Sequence, residues 1–358
     1  MSAFLPTLER AFGTTTGTLT SIMGGAELAG LTTALAGRSL DRGRHRRIFV
    51  GALLLVSVSS AVALGGTTLS FAIAMVLLII GVSNLTVAGL AFIGDTVPYS
   101  ARGRAIGIYE TSWAISLLVG APALAFVLDH HGWRAAYILL AAITTIGAAW
   151  TMCIVPAMTT HRTTPTRPGP RQRLPRNAWP PLFASAGIAG AGISVFVVTG
   201  VWLDEAHGLS VSGLGIIATV IGGFELASSS SVAVIADRVG IRRSVAGGSL
   251  LLGIGLGVIA LSGSSTPVAI GGLLILVIGF EYGFVSSLSL MSEAAPEARG
   301  TALAVGNALG TITRSLLIVL SGQAFEQFGI LGTATLSALA LGGAGAALVI
   351  DRRRVVGD

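Results

Sequence analysis

Long apolar runs dominate the chain, and its polar residues gather in short clusters between them. A helix needs roughly 20 mainly apolar residues to cross about 30 Å of hydrocarbon. Eleven stretches meet that requirement: 16–37, 48–66, 69–94, 103–127, 134–156, 182–203, 211–235, 244–262, 267–291, 299–324 and 331–350. None alternates polar and apolar residues as a barrel strand does, so the pattern predicts an all-α polytopic membrane protein. The 49 glycines agree with this. Most lie inside the runs beside Ala and Ser, where small side chains let helix backbones approach closely in lipid.

Only 11% of the 358 residues are charged, against about 25% in a soluble domain. All 22 basic residues are arginine, which excludes a P-loop lysine and Schiff-base chemistry. The single cysteine, Cys153, excludes an intrachain disulfide and a cysteine-rich metal site. There is no HExxH, no G-x-S-x-G and no nucleotide motif, so an enzyme is not expected, nor is a cofactor or a metal.

When the loops are assigned alternately to the two sides, 19 of the 22 arginines fall on one side and only Arg10 and Arg134 on the other. Basic loops are retained in the cytoplasm, which predicts a plasma-membrane protein with a cytoplasmic C-terminus and Met1 outside. The same rule accounts for the basic clusters without nucleic acid as a partner.

Residues 156–181 hold seven of the twelve prolines and five arginines, and read as a basic cytoplasmic linker. Self-similarity spans it. Gly24-Gly25-Ala26-Glu27-Leu28-Ala29 recurs as Gly222-Gly223-Phe224-Glu225-Leu226-Ala227, and Asp41-Arg42 recurs as Asp237-Arg238. Arg102-Gly103-Arg104-Ala105 through Gly132 matches Arg299-Gly300-Thr301-Ala302 through Gly329 at a constant offset of 197. The repeat divides the chain into an N-terminal bundle (1–155), the linker, a C-terminal bundle (182–350) and a cytoplasmic tail (351–358). Five spans precede the linker and six follow it, so a first helix is expected to be absent. Residues 2–10 then read as its outer tail, and a start placed too late is the simpler account.

Gly37-Arg38-Ser39-Leu40-Asp41-Arg42-Gly43-Arg44-His45-Arg46-Arg47 resembles the signature loop after the second helix of major facilitator superfamily transporters. A weaker echo lies at Ala236-Asp237-Arg238-Val239-Gly240-Ile241-Arg242-Arg243, and Pro98 with 102–105 and Gly132-Trp133-Arg134 match other habits of the family. The resemblance implies two helical bundles around a cavity that opens alternately to each side. It also implies that Gly37, Asp41, Arg42, Arg46, Asp237, Arg238 and Arg242 form a cytoplasmic gate favouring the outward-open state. Gly120-Ala121-Pro122 and the layout resemble the drug/proton antiporter and sugar-efflux branch. Ala121 interrupts the antiporter glycine pattern, and Gly81-Val82-Ser83-Asn84 stands where that branch carries an arginine.

Ionisable residues at membrane depth are costly and are read first as functional. Glu27 and Glu225 lie about 21 and 18 Å from the acidic residues of their loops by helical rise. Both fit a protonatable coupling site, and both equally fit a hydrogen-bonded interhelical contact. Glu281, in mid-span, is a candidate for proton or substrate contact. At offset 197 it is paired with Asn84, as Glu110 is with Asn307, suggesting an asymmetric polar lining. Glu110 lies nearer the cytoplasmic mouth, where gating and helix packing are open alternatives. Arg314, the only arginine within a span, needs either an acidic partner or an anionic ligand. Four glutamates against one arginine lean the cavity towards cationic or neutral cargo.

Asp95 and Glu293 sit at cytoplasmic span ends. The five histidines read as solvated, and Trp133, Trp179 and Trp202 as interfacial anchors. The chain is thus expected to be a secondary transporter, a monomer in the bilayer, coupling protons to efflux of a drug-like, sugar or metabolite substrate. The rival is a transport-inactive sensor or scaffold, or a truncated remnant of a permease.

Overall fold

The computed structural model describes residues 4–33, 39–40, 42–98, 105, 108–109, 111–113, 115–157, 174–295 and 299–357. Among these every regular element is helical, and eight helical stretches are long and apolar enough to cross a membrane. The elements are α1 (Leu5–Phe12), α2 (Thr16–Glu27), α3 (His45–Ala63), α4 (Thr68–Thr96), α5 (Ala121–Ile154), α6 (Trp179–His207), α7 (Val211–Val239), α8 (Ile241–Ala260), α9 (Thr266–Glu293) and α10 (Arg299–Gly357).

Two of the stretches are too long for one crossing. Continuous helix covers 44 residues at Thr111–Ile154 and 51 at Thr301–Asp351, about 66 and 77 Å at helical rise. Each bends back on itself at a glycine with positive φ, Gly132 (φ 75°) and Gly329 (φ 60°), a conformation that a side chain makes costly. These glycines stand 197 residues apart, so the repeat places a reversal at the same point twice. In front of the first reversal Ser116–Gly120 forms a π-helical turn, with the Ala121 N–H donating to the Ser116 carbonyl. Pro122 lacks an N–H for the carbonyl four residues back, and the wider turn absorbs that defect.

The expected first span, 16–37, is not one straight helix. After Glu27 it tightens into a 3-10 segment, Leu28–Thr32. There the Thr32 and Thr33 hydroxyls donate to the carbonyls of Ala29 and Gly30 at 2.6 and 3.0 Å, an i to i−3 pattern that competes with the α-helical ladder. The N-terminal stretch expected as tail and loop carries α1, whose Phe12 packs on Phe71 and Trp133 with ring centroids 5.1 and 5.3 Å apart. At the other end α10 continues through Asp351, which is buried and ion-paired to Arg242, rather than stopping at 350.

Helix α6 is the axis of the packing. It is apolar on all sides and buried along nearly its whole length, from Leu182 to Leu203, as a helix surrounded by protein must be. It packs on α10 and α9, while α3 packs on α4 and α5, and α8 on α9. Helices before and after the linker meet along two seams, α2 on α10 and α5 on α7.

The α8–α9 crossing depends on glycine. A Cβ at Gly255 would lie 2.6 Å from the Leu276 backbone nitrogen, and Cβ atoms at Gly248 and Gly279 would strike the Gly283 and Leu252 backbone. Neither backbone can move as a flexible side chain could. Gly279→Ala is therefore expected to cost about 2 kcal/mol or more by forcing α8 and α9 apart. Gly257→Ala, where a Cβ meets nothing within 4 Å, should instead stabilise by about 0.5–1 kcal/mol through backbone entropy. Thermal unfolding in detergent checks this; equal effects at the two positions would contradict the packing assigned to Gly279.

Candidate functional site

Two cavities lie on either side of α6. The larger, about 590 Å³, is lined by α2, α4, α6 and α10, with Trp113 on its wall. The smaller, about 270 Å³, is lined by α6, α7 and α9 together with Leu117. Ile193 of α6 lines both.

The larger cavity holds the charges of α2 and α10. Glu27 reaches it from the last turn of α2, and Arg314 from the α10 arm before Gly329. Arg314 Nη2 donates to Glu27 Oε2 at 3.4 Å and to Thr311 Oγ1 at 3.3 Å. Both contacts exceed the ordinary N–H···O range of about 2.7–3.2 Å. The two side chains remain 24% and 28% exposed, so the pair is loose and each member keeps polar capacity facing the cavity. Thr311 lies one turn before Arg314 and shares its face. Asn307 adds an amide further towards the arginine-rich ends, while Met23, Met75, Leu78 and Trp113 make most of the remaining wall apolar.

The smaller cavity holds two more of the candidate glutamates. Glu225 on α7 and Glu281 on α9 both line it, among Phe196, Leu203, Leu214, Ile217, Val277 and Phe280. Glu281 is 9% exposed and its Oε2 accepts from the Ser229 hydroxyl at 2.6 Å. Ser229 lies four residues after Glu225, one helical turn along α7, so the serine ties α7 to α9 beside both carboxyls. Nearby, the Ser231 and Tyr282 hydroxyls meet at 2.5 Å. Neither Ser229 nor Tyr282 was singled out from sequence, although the helical spacing from Glu225 and the adjacency to Glu281 were there to read.

The structure thus sorts the sequence candidates. It brings Glu27 together with Arg314 and Asn307, and Glu225 together with Glu281. Asn84 is not among the residues lining the larger cavity. Its amide donates to the Ile80 carbonyl of its own helix at 2.8 Å, and Ser83 and Thr86 face the cavity instead. Glu110, Gly37 and Asp41 lie outside the described residues, as does the Asp237 side chain. Of the remaining gate candidates, Arg42 and Arg238 are exposed, Arg46 donates to the Met152 carbonyl at 3.4 Å, and Arg242 pairs with Asp351.

Three further expectations are corrected. His45 is 1% exposed, not solvated, with Nε2 3.0 Å from Asp95 Oδ2 and its ring edge-on to Phe92. The turn into α3 points it inward between α3 and α4, so Asp95 has a partner as well as the helix end. His207 is half-buried, 3.3 Å from the Thr266 hydroxyl and edge-on to Trp202. Trp202, expected at the interface, is 3% exposed because the stretch of α6 around it, Val197 to Leu203, is buried.

A chiefly apolar cavity at membrane depth, with a loose charge pair joining helices from opposite ends of the chain, is the arrangement of a protein that passes small molecules through a membrane. The sequence matches the Major Facilitator Superfamily over residues 1–318, and the chain belongs to that family of transporters. It is similar to the niacin transporter NiaP of Acinetobacter baylyi, 26% identical over 110 residues, which are 30% of this chain and 25% of that protein. It is also similar to the chromaffin granule amine transporter of Rattus norvegicus, 32% identical over 114 residues, 32% of this chain and 22% of that protein. These matched stretches span about a quarter of the relatives' length. Among solved structures, a D-xylose–proton symporter superposes with a TM-score of 0.78 at 18% identity, covering 96% of this chain and 92% of the symporter.

The geometry assigns a coupling to Glu27 and Arg314. Arg314→Ala and Glu27→Ala are each expected to destabilise, and the double variant to lose less than their sum. The coupling should be about 1 kcal/mol, since both groups are partly exposed. A double-mutant cycle on thermal unfolding measures it, and strict additivity would remove the pair.

Proposed function

We propose that the protein is a secondary active transporter working by alternating access, and that it exports a small organic molecule through the larger cavity. The observation that carries this reading is the Glu27–Arg314 pair on the wall of a 590 Å³ cavity between helices from both ends of the chain. A volume of that size suits a metabolite or drug-like molecule. The two charges offset one another, so the cavity favours a largely apolar cargo with one polar or ionic group, which can pair with whichever member of the loose bridge suits it. Niacin and amines, named for the relatives, fall within that description.

Glu225 and Glu281 are the proposed proton-coupling pair. Two carboxyls in one apolar chamber cannot both ionise without mutual repulsion, so their protonation is linked. A proton gained or lost there changes the charge beside α6, the helix that also lines the cargo cavity. The likeness of Gly120-Ala121-Pro122 and the helix layout to the antiporter and sugar-efflux branch supports export as the direction of work.

The test uses the purified chain in proteoliposomes with an imposed pH gradient and labelled nicotinate, biogenic amines and sugars. Uptake or release of one of these is expected to depend on the gradient. Glu225→Gln with Glu281→Gln should lower gradient-driven flux about tenfold, a rise of about 1.4 kcal/mol in the barrier, while exchange without a gradient persists. Arg314→Ala should lower both. Movement of no substrate by the folded protein, or flux indifferent to pH in every variant, would overturn the proposal.

A further inference from the structure

The two seams joining helices from before and after the linker share a feature that the cavities do not use. Along α2 and α10 the contacts run Gly17 to Glu326, Thr20 to Gly322, Gly24 to Ser315 and Glu27 to Arg314. The steps of three, four and three residues on α2 put all four on one helix face. The backbones come closest at Gly24, where a Cβ would lie 2.6 Å from the Ser315 carbonyl oxygen and the Ser315 hydroxyl donates to the Gly24 carbonyl at 2.7 Å, while Gly17 and Gly322 make room for the Glu326 and Thr20 side chains. Along α5 and α7 the contacts run Asp129 to Ser212, Ala125 to Gly215 and Leu118 to Gly223, with a Gly215 Cβ 2.6 Å from that of Ala125.

Each seam ends in a carboxylate. Glu326 Oε1 accepts from the Gly17 backbone N–H, in the first turn of α2, at 2.8 Å. Asp129 Oδ2 accepts from the Ser212 hydroxyl, in the first turn of α7, at 2.9 Å. Asp129 and Glu326 are 197 residues apart, the period of the internal repeat, and each lies three residues before its reversal glycine, Gly132 or Gly329. Each acidic residue therefore reaches from a helix end across to the start of a helix on the other side of the linker. Unpaired N–H groups and the positive end of the peptide dipoles favour a carboxylate at that place.

We propose that Asp129 and Glu326 are a repeat-related pair of latches holding the seams closed at the arginine-poor ends. These ends are opposite to the signature loop, so the latches and the loop act on opposite faces of the molecule. The contacts exist only while α2 meets α10 and α7 meets α5 at those ends. They stabilise the state in which that face is shut and lose their effect when it opens. The latches need no assignment of cargo, direction or coupling ion.

The test reads seam opening directly. In the full chain with Cys153→Ser, Thr20→Cys places the one thiol under Gly322, where Thr20 is 0% exposed. Its rate of reaction with a hydrophilic maleimide in detergent reports separation of α2 from α10. Glu326→Ala is expected to raise that rate about fivefold and Asp129→Ala, whose contact is the more exposed of the two, about twofold. If both bias one two-state opening, the double variant should multiply them to about tenfold. Glu326→Gln keeps an acceptor but loses the charge, and should fall between the parent and Glu326→Ala. Ser337→Cys, buried against the Ala191 carbonyl inside the α6–α10 packing, serves as the control and should stay unreactive in every variant. An unchanged Thr20→Cys rate in the double variant overturns the proposal. So does a parallel rise at Ser337→Cys, which would place the effect in general loosening of the fold.

Discussion

In hydrocarbon, helices gain nothing from hiding apolar side chains from one another, because lipid tails are as apolar as leucine. What holds two helices together is contact area and a few polar links, and contact area grows as backbones approach. The close crossings of this chain rest on that constraint. Gly248, Gly255 and Gly279 bring α8 and α9 to backbone contact; between α2 and α10 Gly24 does the same, while Gly17 and Gly322 make room for the Glu326 and Thr20 side chains. The two kinds of crossing differ in consequence. The α8–α9 crossing joins neighbours in sequence through close backbones and neutral side chains, among them the buried Ser244 and Ser286 hydroxyls 2.8 Å apart. The α2–α10 crossing joins residues about 300 positions apart and carries Glu27, Arg314 and Glu326 along its length, so its strength depends on ionic groups that can exchange partners.

That difference locates where motion is cheapest. Separating α8 from α9 would abandon a tight apolar contact and gain only lipid in return. Separating α2 from α10 exposes the capacity of Glu27 and Arg314 to a cavity that already holds them partly open. The bridge is too long to count as a strong bond and too deep in the membrane to be left without any partner, which is the condition for a site whose ligand can substitute for one member of the pair. A short bidentate pair at the same place would be better structure and poorer transport machinery.

The sequence made the architecture legible because membrane helices declare themselves by composition. The apolar runs, the repeat at 197 and the reversals at Gly132 and Gly329 all follow from local residue pattern, since each helix must satisfy its own backbone. The functional geometry was less visible for the opposite reason. Glu27 and Arg314 are 287 residues apart, and which of four glutamates meets the arginine depends on how α2 and α10 cross. Asn84 shares the repeat position of Glu281 yet bonds to its own helix. A repeat fixes the sequence position of a residue, while its rotamer answers to the neighbours it packs against. The burial of His45 was hidden by the arginines around it, which signal a solvated loop even where one ring turns inward to reach Asp95.

The position of Ile193 connects these strands. Because α6 is buried along most of its length, it has little room to shift without moving the walls of both chambers, and the residue they share lies on it. In the function proposed, a charge change at Glu225 or Glu281 acts on α7 and α9 beside one face of α6, and an occupant of the larger cavity presses on another. Densely packed interiors respond to such pressures by stepping between discrete arrangements rather than by deforming smoothly. Coupling between the two chambers in the proposed roles therefore needs no long relay of polar residues. It needs a rigid helix common to both and seams loose enough to part, and the distribution of glycine and charge along this chain supplies each in a different place.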